Sequence, residues 1–146
     1  MNHDNLRSKI YSKSTEMEKE NYMYSNLTER VIKAYYDVYN KLGYGFLEKV
    51  YENAMSIELS KAGLRHSKQQ PVDVFYDEQQ VGSYYADIIV EDKVIVELKA
   101  AEGLCEEHEA QLINYLRATE IEVGLLLNLG KEPQIRRKVF SNEFKK

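Results

Sequence analysis

From residue 26 onward, apolar side chains recur at helical spacing. Leu27, Val31, Ala34, Tyr35, Val38 and Leu42 predict a helix over 26–42, with Asn26 as its cap, Glu29 three residues on, and Gly43 at its end. A second helix is expected over 46–62, burying Phe46, Val50, Ala54 and Ile57 and closed by Gly63. From Leu64 the period shortens: Val72, Val74 and Tyr76 alternate with Asp73 and Phe75, and the polar cluster at 77–80 reads as a turn. Two further apolar runs, 84–90 and 94–100, flank Glu91, Asp92 and Lys93 as a hairpin loop. Helical spacing returns over 104–118, and the unbroken apolar run at 123–128 predicts a strand buried on both faces. The core order is then helix, three strands, helix, strand, with the later helix crossing over into a parallel strand.

The hairpin fixes a register. With 91–93 as the loop, Val90 faces Val94, Ile88 faces Val96 and Ala86 faces Leu98, while Asp87 stands opposite Glu97 and Tyr85 opposite Lys99. Tyr84, Ala86, Ile88, Val90, Val94, Val96 and Leu98 then share one apolar face, which a slip of one residue would destroy. Opposed carboxylates repel, so this register invites a bound cation, with Lys99 as a partial offset. An ion pair between Glu97 and Lys99, held for structure alone, is the alternative.

Composition narrows the class. The 146 residues suit one domain, expected over 25–146 behind a flexible or loosely helical leader at 1–24. No membrane span or signal-peptide pattern stands out, so a soluble, cytoplasmic protein is the default expectation. Cys105 is the only cysteine, and His3, His66 and His108 lack metal-ligand spacing, which excludes a disulfide framework and a cysteine-rich zinc site. A formal charge of −4 argues against tight nonspecific nucleic-acid binding but allows an enzyme that touches DNA briefly. The basic residues Lys131, Arg136, Arg137 and Lys138 read as a solvated terminal helix, or alternatively as a hold on a nucleic-acid backbone. Most tyrosines, including Tyr35 and Tyr39, read as packing residues rather than base-stacking ones.

Two more patterns carry chemistry. Gly45, Glu48 and Tyr51 fall three apart at the start of the second helix, where the helix dipole stabilises a carboxylate. In the later helix, His108, Gln111, Leu112 and Tyr115 make one mixed face, with Ala110, Ile113 and Leu116 assigned to the core elsewhere. The Gly-x-x-Glu-x-x-Tyr spacing resembles the motif of the GxxExxY protein family, a branch of the PD-(D/E)XK nuclease superfamily. Asp87 followed by Glu97-x-Lys99 resembles the metal site of that superfamily, and Gln111-x-x-x-Tyr115 the motif of its RecB-like nucleases. Only the acid of the name-giving Pro-Asp is present, because Ala86 stands in the proline's place.

The resemblance implies an α/β fold: a restriction-endonuclease-like core with a mixed central sheet flanked by helices, in the order α-β-β-β-α-β. It further implies a metal-dependent nuclease acting on DNA. Asp87, Glu97 and the Leu98 carbonyl would hold Mg²⁺ or Mn²⁺, with Glu48 as a further ligand or a holder of water. Lys99 would orient the attacking water or neutralise developing charge, Gln111 would position Lys99 or that water, and Tyr115 would support Gln111 or touch a phosphate. Tyr51, His108, Arg136 and Arg137 are candidate substrate contacts, with His108 equally readable as a helix-surface residue. The alternative from another class is a noncatalytic module of the same fold that binds a protein or nucleic-acid partner.

Overall fold

The computed structural model describes residues 23–145, so most of the expected leader lies outside the described residues. Two helices come first, α1 (Ser25–Leu42) and α2 (Glu48–Lys61), then the strands β1 (His66–Tyr76), β2 (Gln79–Val90) and β3 (Val94–Lys99). Helix α3 (Glu106–Ala118) leads into β4 (Val123–Leu129) and β5 (Pro133–Val139), and a 3₁₀ turn (Asn142–Phe144) follows. The sheet runs in the order β1-β2-β3-β4-β5. β3 and β4 are parallel, joined across α3, and every other neighbouring pair is antiparallel. The mixed sheet between helices is the expected α/β core, with one strand more than the sequence suggested.

That extra strand corrects the reading of the basic run near the end. β4 is buried along its whole length and bonds to β3 on one side only. A terminal helix would leave the other row of buried backbone groups without partners, so residues 133–139 pair with β4 throughout. Ile135 and Val139 pack against the core on the α1 face, and Arg137 on the same strand donates to the carbonyl of Met23. Lys138 and Arg136 lie 2.9 and 3.8 Å from the Glu109 carboxylate.

Apolar side chains cover both faces of the sheet. On one, α1 and α2 bring Tyr35, Tyr51, Met55 and Leu59 onto Val94, Val96, Leu98, Leu125 and Leu127. On the other, α3 packs Leu112, Tyr115 and Leu116 against Val72, Ile95 and Leu126, and Ala110, expected in the core, is exposed. A Cβ on Gly124 would stand 2.6 Å from Leu112 Cδ1, so α3 approaches β4 as closely as a glycine allows.

Three local readings change. The cap of α1 is Tyr24 with a left-handed backbone and no side-chain bond, rather than Asn26. In α2 the buried stripe is Tyr51, Glu52, Met55 and Leu59, and Phe46, Val50 and Ile57 are exposed. Tyr51 takes the inward position because its ring is large and its hydroxyl is satisfied there, donating to the Gly43 carbonyl (2.7 Å) and accepting from the Phe46 N–H (3.2 Å). Helix α2 therefore starts at Glu48, with Phe46 edge-on to the Tyr51 ring outside it. Lastly, Ala86 packs with the α3 cluster rather than with Ile88 and Val90, and Tyr84 is half exposed. The alternation restarts between Ala86 and Ile88 because Gln69, across from Asp87, has a left-handed backbone (φ 55°) and makes no bridge.

Candidate active site

β2 and β3 pair as the sequence predicts from Val90–Val94 to Ile88–Val96, and there the ladder stops. The expected pairings of Ala86 with Leu98, Asp87 with Glu97 and Tyr85 with Lys99 are not made as strand bridges. Beyond that point the carboxylates take the place of backbone acceptors. The Asp87 N–H donates to Glu97 Oε1 (2.9 Å), and the Leu98 N–H donates to Asp87 Oδ2 (2.8 Å). Each acid is thus anchored to backbone by one oxygen, which leaves Glu97 Oε2, and Asp87 Oδ1 with the Gln69 amide 3.5 Å away, facing the gap. The parting of the strands and the placing of the acids are one event.

Crowding two acids into a desolvated gap shows in their proton affinities. Burial, then the Asp87 charge, pushes Glu97 up to about 8, against the opposing pull of the Asp87 N–H and Lys99. Asp87 is raised as well, first by burial and then by Glu52 and Glu48, while the Leu98 N–H and Lys99 lower it. Lys99, half buried at the end of β3, forms no salt bridge among the described residues.

Helix α2 aims its first residue, Glu48, at the same gap, and the charge of this exposed carboxylate is felt by both Asp87 and Glu97. One turn on stands Glu52, which the sequence reading missed. It is buried, accepts from Gln69 Nε2 (3.2 Å), and lies 3.5 Å from Lys49 Nζ. Gln69 also reaches Asp87 Oδ1 (3.5 Å), so its amide links the helix acid to the strand acid. The i, i+4 spacing of Glu48 and Glu52 was the available signal; nothing in the sequence marks Gln69.

From α3, Gln111 Nε2 donates to Tyr115 Oη (2.7 Å), which leaves the phenol hydrogen free to donate elsewhere. The Tyr115 hydroxyl is harder to ionise than an ordinary phenol because of burial and the negative charge of Glu97. Glu48 and Lys99 thus act on the charges of Asp87 and Glu97, and those two acids act on Tyr115, which Gln111 fixes. The remaining candidates stand apart. Tyr51 is fully buried on Gly43, and His108 Nδ1 accepts from the Cys105 N–H (3.3 Å) at the start of α3. Arg136 and Arg137 lie on β5, which β4 separates from β3.

Among the described residues, no group of three or more His, Cys, Asp and Glu side chains converges to hold a metal by itself. The donor set still fits a hard divalent cation. Mg²⁺ retains several waters and is commonly bound through one or two carboxylates, and Glu97 Oε2 and the weakly held Asp87 Oδ1 remain in a site where positive charge relieves the repulsion of the pair. No described helix is long and apolar enough to cross a membrane.

Comparison with known proteins agrees with this fold. The crystal structure of SSO0001 superposes with a TM-score of 0.50 at 17% identity, over 85% of this chain and 62% of that one, which shows a shared fold alone. This chain therefore spans less than two thirds of that protein's length. A search of curated proteins found no match. The model of the PD-(D/E)XK nuclease superfamily matches residues 25–138, from the first residue of α1 to the next-to-last of β5. By this match, the chain belongs to the PD-(D/E)XK nuclease superfamily.

Proposed function

We propose that this protein is a divalent-metal-dependent nuclease that hydrolyses phosphodiester bonds of DNA. The observation that carries the reading is the acid pair held between parted strands, each acid bonded to a backbone N–H of the other's strand, where burial and then the Asp87 charge raise Glu97 to about 8. A purely structural pair would gain from neutral side chains at this place. Asp87 and Glu97 would hold Mg²⁺ or Mn²⁺, with the Leu98 carbonyl and Glu48 as further donors. The chemistry that such a cation supplies is positive charge, which polarises a phosphodiester oxygen and lowers the pKa of a water.

The chain's own residues do the rest. Lys99 brings an ammonium to the charge that develops on phosphorus oxygens, or orients the attacking water. Gln111 holds the Tyr115 oxygen, and the phenol hydrogen is left to donate to a phosphate oxygen. Glu48 would be a further ligand or would hold a water on the cation. The spacing of Gly45, Glu48 and Tyr51 supports placement in the GxxExxY branch, although Tyr51 serves there as a structural residue. A second reading, a noncatalytic module with a protein partner, draws support from the exposed side chains of Phe46, Leu47, Val50 and Ile57 on one side of α2.

Turnover separates the two. Purified protein is incubated with circular, linear and single-stranded DNA and Mg²⁺ or Mn²⁺, beside Glu97→Ala prepared identically. Cleavage by the wild type alone supports the nuclease. Equal cleavage by both, or by neither, overturns it in favour of the interaction module.

A further inference from the structure

A groove of about 980 Å³ runs between the β1–β2 hairpin and α3. Val74, Phe75 and Tyr84 line its hairpin side, and Gln111, Asn114 and Tyr115 its helix side. Consecutive strand residues ordinarily point to opposite faces, yet Val74 and Phe75 both reach this groove. The register slips there from Val74–Gly82 to Phe75–Gln80, leaving Val81 of β2 without a partner, as at a bulge. Phe75 and Tyr84 give the groove an aromatic wall: they are 61% and 50% exposed, and the Tyr84 ring lies 5.9 Å from that of Tyr115.

The groove lies beside the acid site, since Tyr115, which feels the charges of Glu97 and Asp87 and is held by Gln111, lines it. Its charge is wrong for a phosphate track. Asp73 and Glu107 stand on the walls against Arg117 as the only basic residue there, whereas channels that follow a nucleic-acid backbone are basic. What suits aromatic faces beside the Asn114 and Gln111 amides is the uncharged part of a nucleotide, the base, stacked on a ring and bonded at its edge. Bases paired and stacked inside a duplex do not offer those faces.

The geometry points to an unpaired strand as the substrate: with a phosphate at Asp87, Glu97 and Lys99, the neighbouring bases lie in the groove and stack on Phe75 and Tyr84. This deepens the nuclease reading and rests on it for the position of the phosphate. Binding is separable from cleavage, which keeps the two claims distinct.

Binding of a labelled thymidine oligonucleotide, and of the same oligonucleotide in a blunt duplex, is measured by anisotropy in EDTA. The wild type, Phe75→Ala and Phe75→Trp are compared, with circular dichroism confirming that each is folded. The expected result is tighter binding of the single strand than of the duplex, weakened about fivefold or more by Phe75→Ala and restored by Phe75→Trp, since the loss of one stack costs about 1–3 kcal/mol. Equal binding of the two forms, preference for the duplex, binding of neither, or indifference to Phe75→Ala overturns the assignment. Cleavage in Mg²⁺ is scored separately: single-strand preference without cleavage overturns the nuclease and leaves the groove assignment standing, and cleavage without preference does the reverse.

Discussion

The backbone N–H of Asp87 donates to the side chain of Glu97, 2.9 Å away, and the Asp87 side chain is held in turn by the N–H that follows Glu97. The two acids are therefore tied to each other's strands and cannot separate to relieve their repulsion. Ionisation of the second acid is opposed by the fold itself.

The metal-free protein should accordingly lose stability as pH rises. Glu97 goes from an ordinary value of 4.5 to about 8 on folding, so between those values the native state holds a proton that the unfolded chain has released. The contribution is fully present below about 4.5 and is lost as pH climbs through about 8; Asp87, also raised, acts in the same direction. The loss is of order a few kcal/mol. Urea denaturation from pH 5 to 9 measures it, the slope should flatten in Glu97→Gln, and Mg²⁺ should restore stability at the alkaline end. A profile that does not respond to Glu97→Gln would contradict the assignment.

Lys99→Ala should reduce cleavage about a hundredfold or more, as loss of a charge-stabilising group does, while the protein stays folded. Because the ammonium pulls both acids down, its removal should also enlarge the alkaline loss of stability and extend it to higher pH. Unfolding at every pH would show instead that Lys99 serves structure.

Tyr51→Phe separates packing from substrate contact. The substitution removes the bonds to the Gly43 carbonyl and the Phe46 N–H and should cost about 1–3 kcal/mol in denaturant. KM for any cleaved DNA should not change; a raised KM with unchanged stability would place the hydroxyl on the substrate.

Gly130→Ala tests the end of β3 from a distance. A Cβ there would stand 1.8 Å from the Ala101 carbonyl oxygen, and backbone must move to admit it. A loss of about 1–3 kcal/mol or more is expected, with activity falling beyond what the unfolded fraction explains. Full activity in the folded fraction would show that the turn after Lys99 tolerates displacement.

The hairpin register from Val90–Val94 to Ile88–Val96, the crossover into a parallel strand and the fully buried β4 were all legible, because each rests on alternation or on an unbroken apolar run. The phase of α2 was not. Its apolar residues lie on two sides, and the choice of Tyr51 over Val50 depends on a carbonyl eight residues earlier. Glu52 and Gln69 were hidden for a related reason: their value lies in a bond to each other across 17 residues, which no local pattern records. The strand at 133–139 was obscured by its own charges, since the pairing that makes it a strand is dictated by β4 rather than by its own composition.

Asn128, buried beside Lys99 in the β3–β4 register, exchanges two hydrogen bonds with the backbone of Ala101 (3.0 and 2.9 Å), and its carbonyl takes the hydroxyl of Tyr35. A ribosome delivers Glu48, Asp87, Glu97, Lys99, Gln111 and Tyr115 before any of β4. A nascent chain at that stage holds all six side chains proposed for the site, while β3 has an open edge and Ala101 has no clamp. Synthesis of β4 closes that edge and supplies the clamp, so the sheet around these residues is complete only after the last of them has been made.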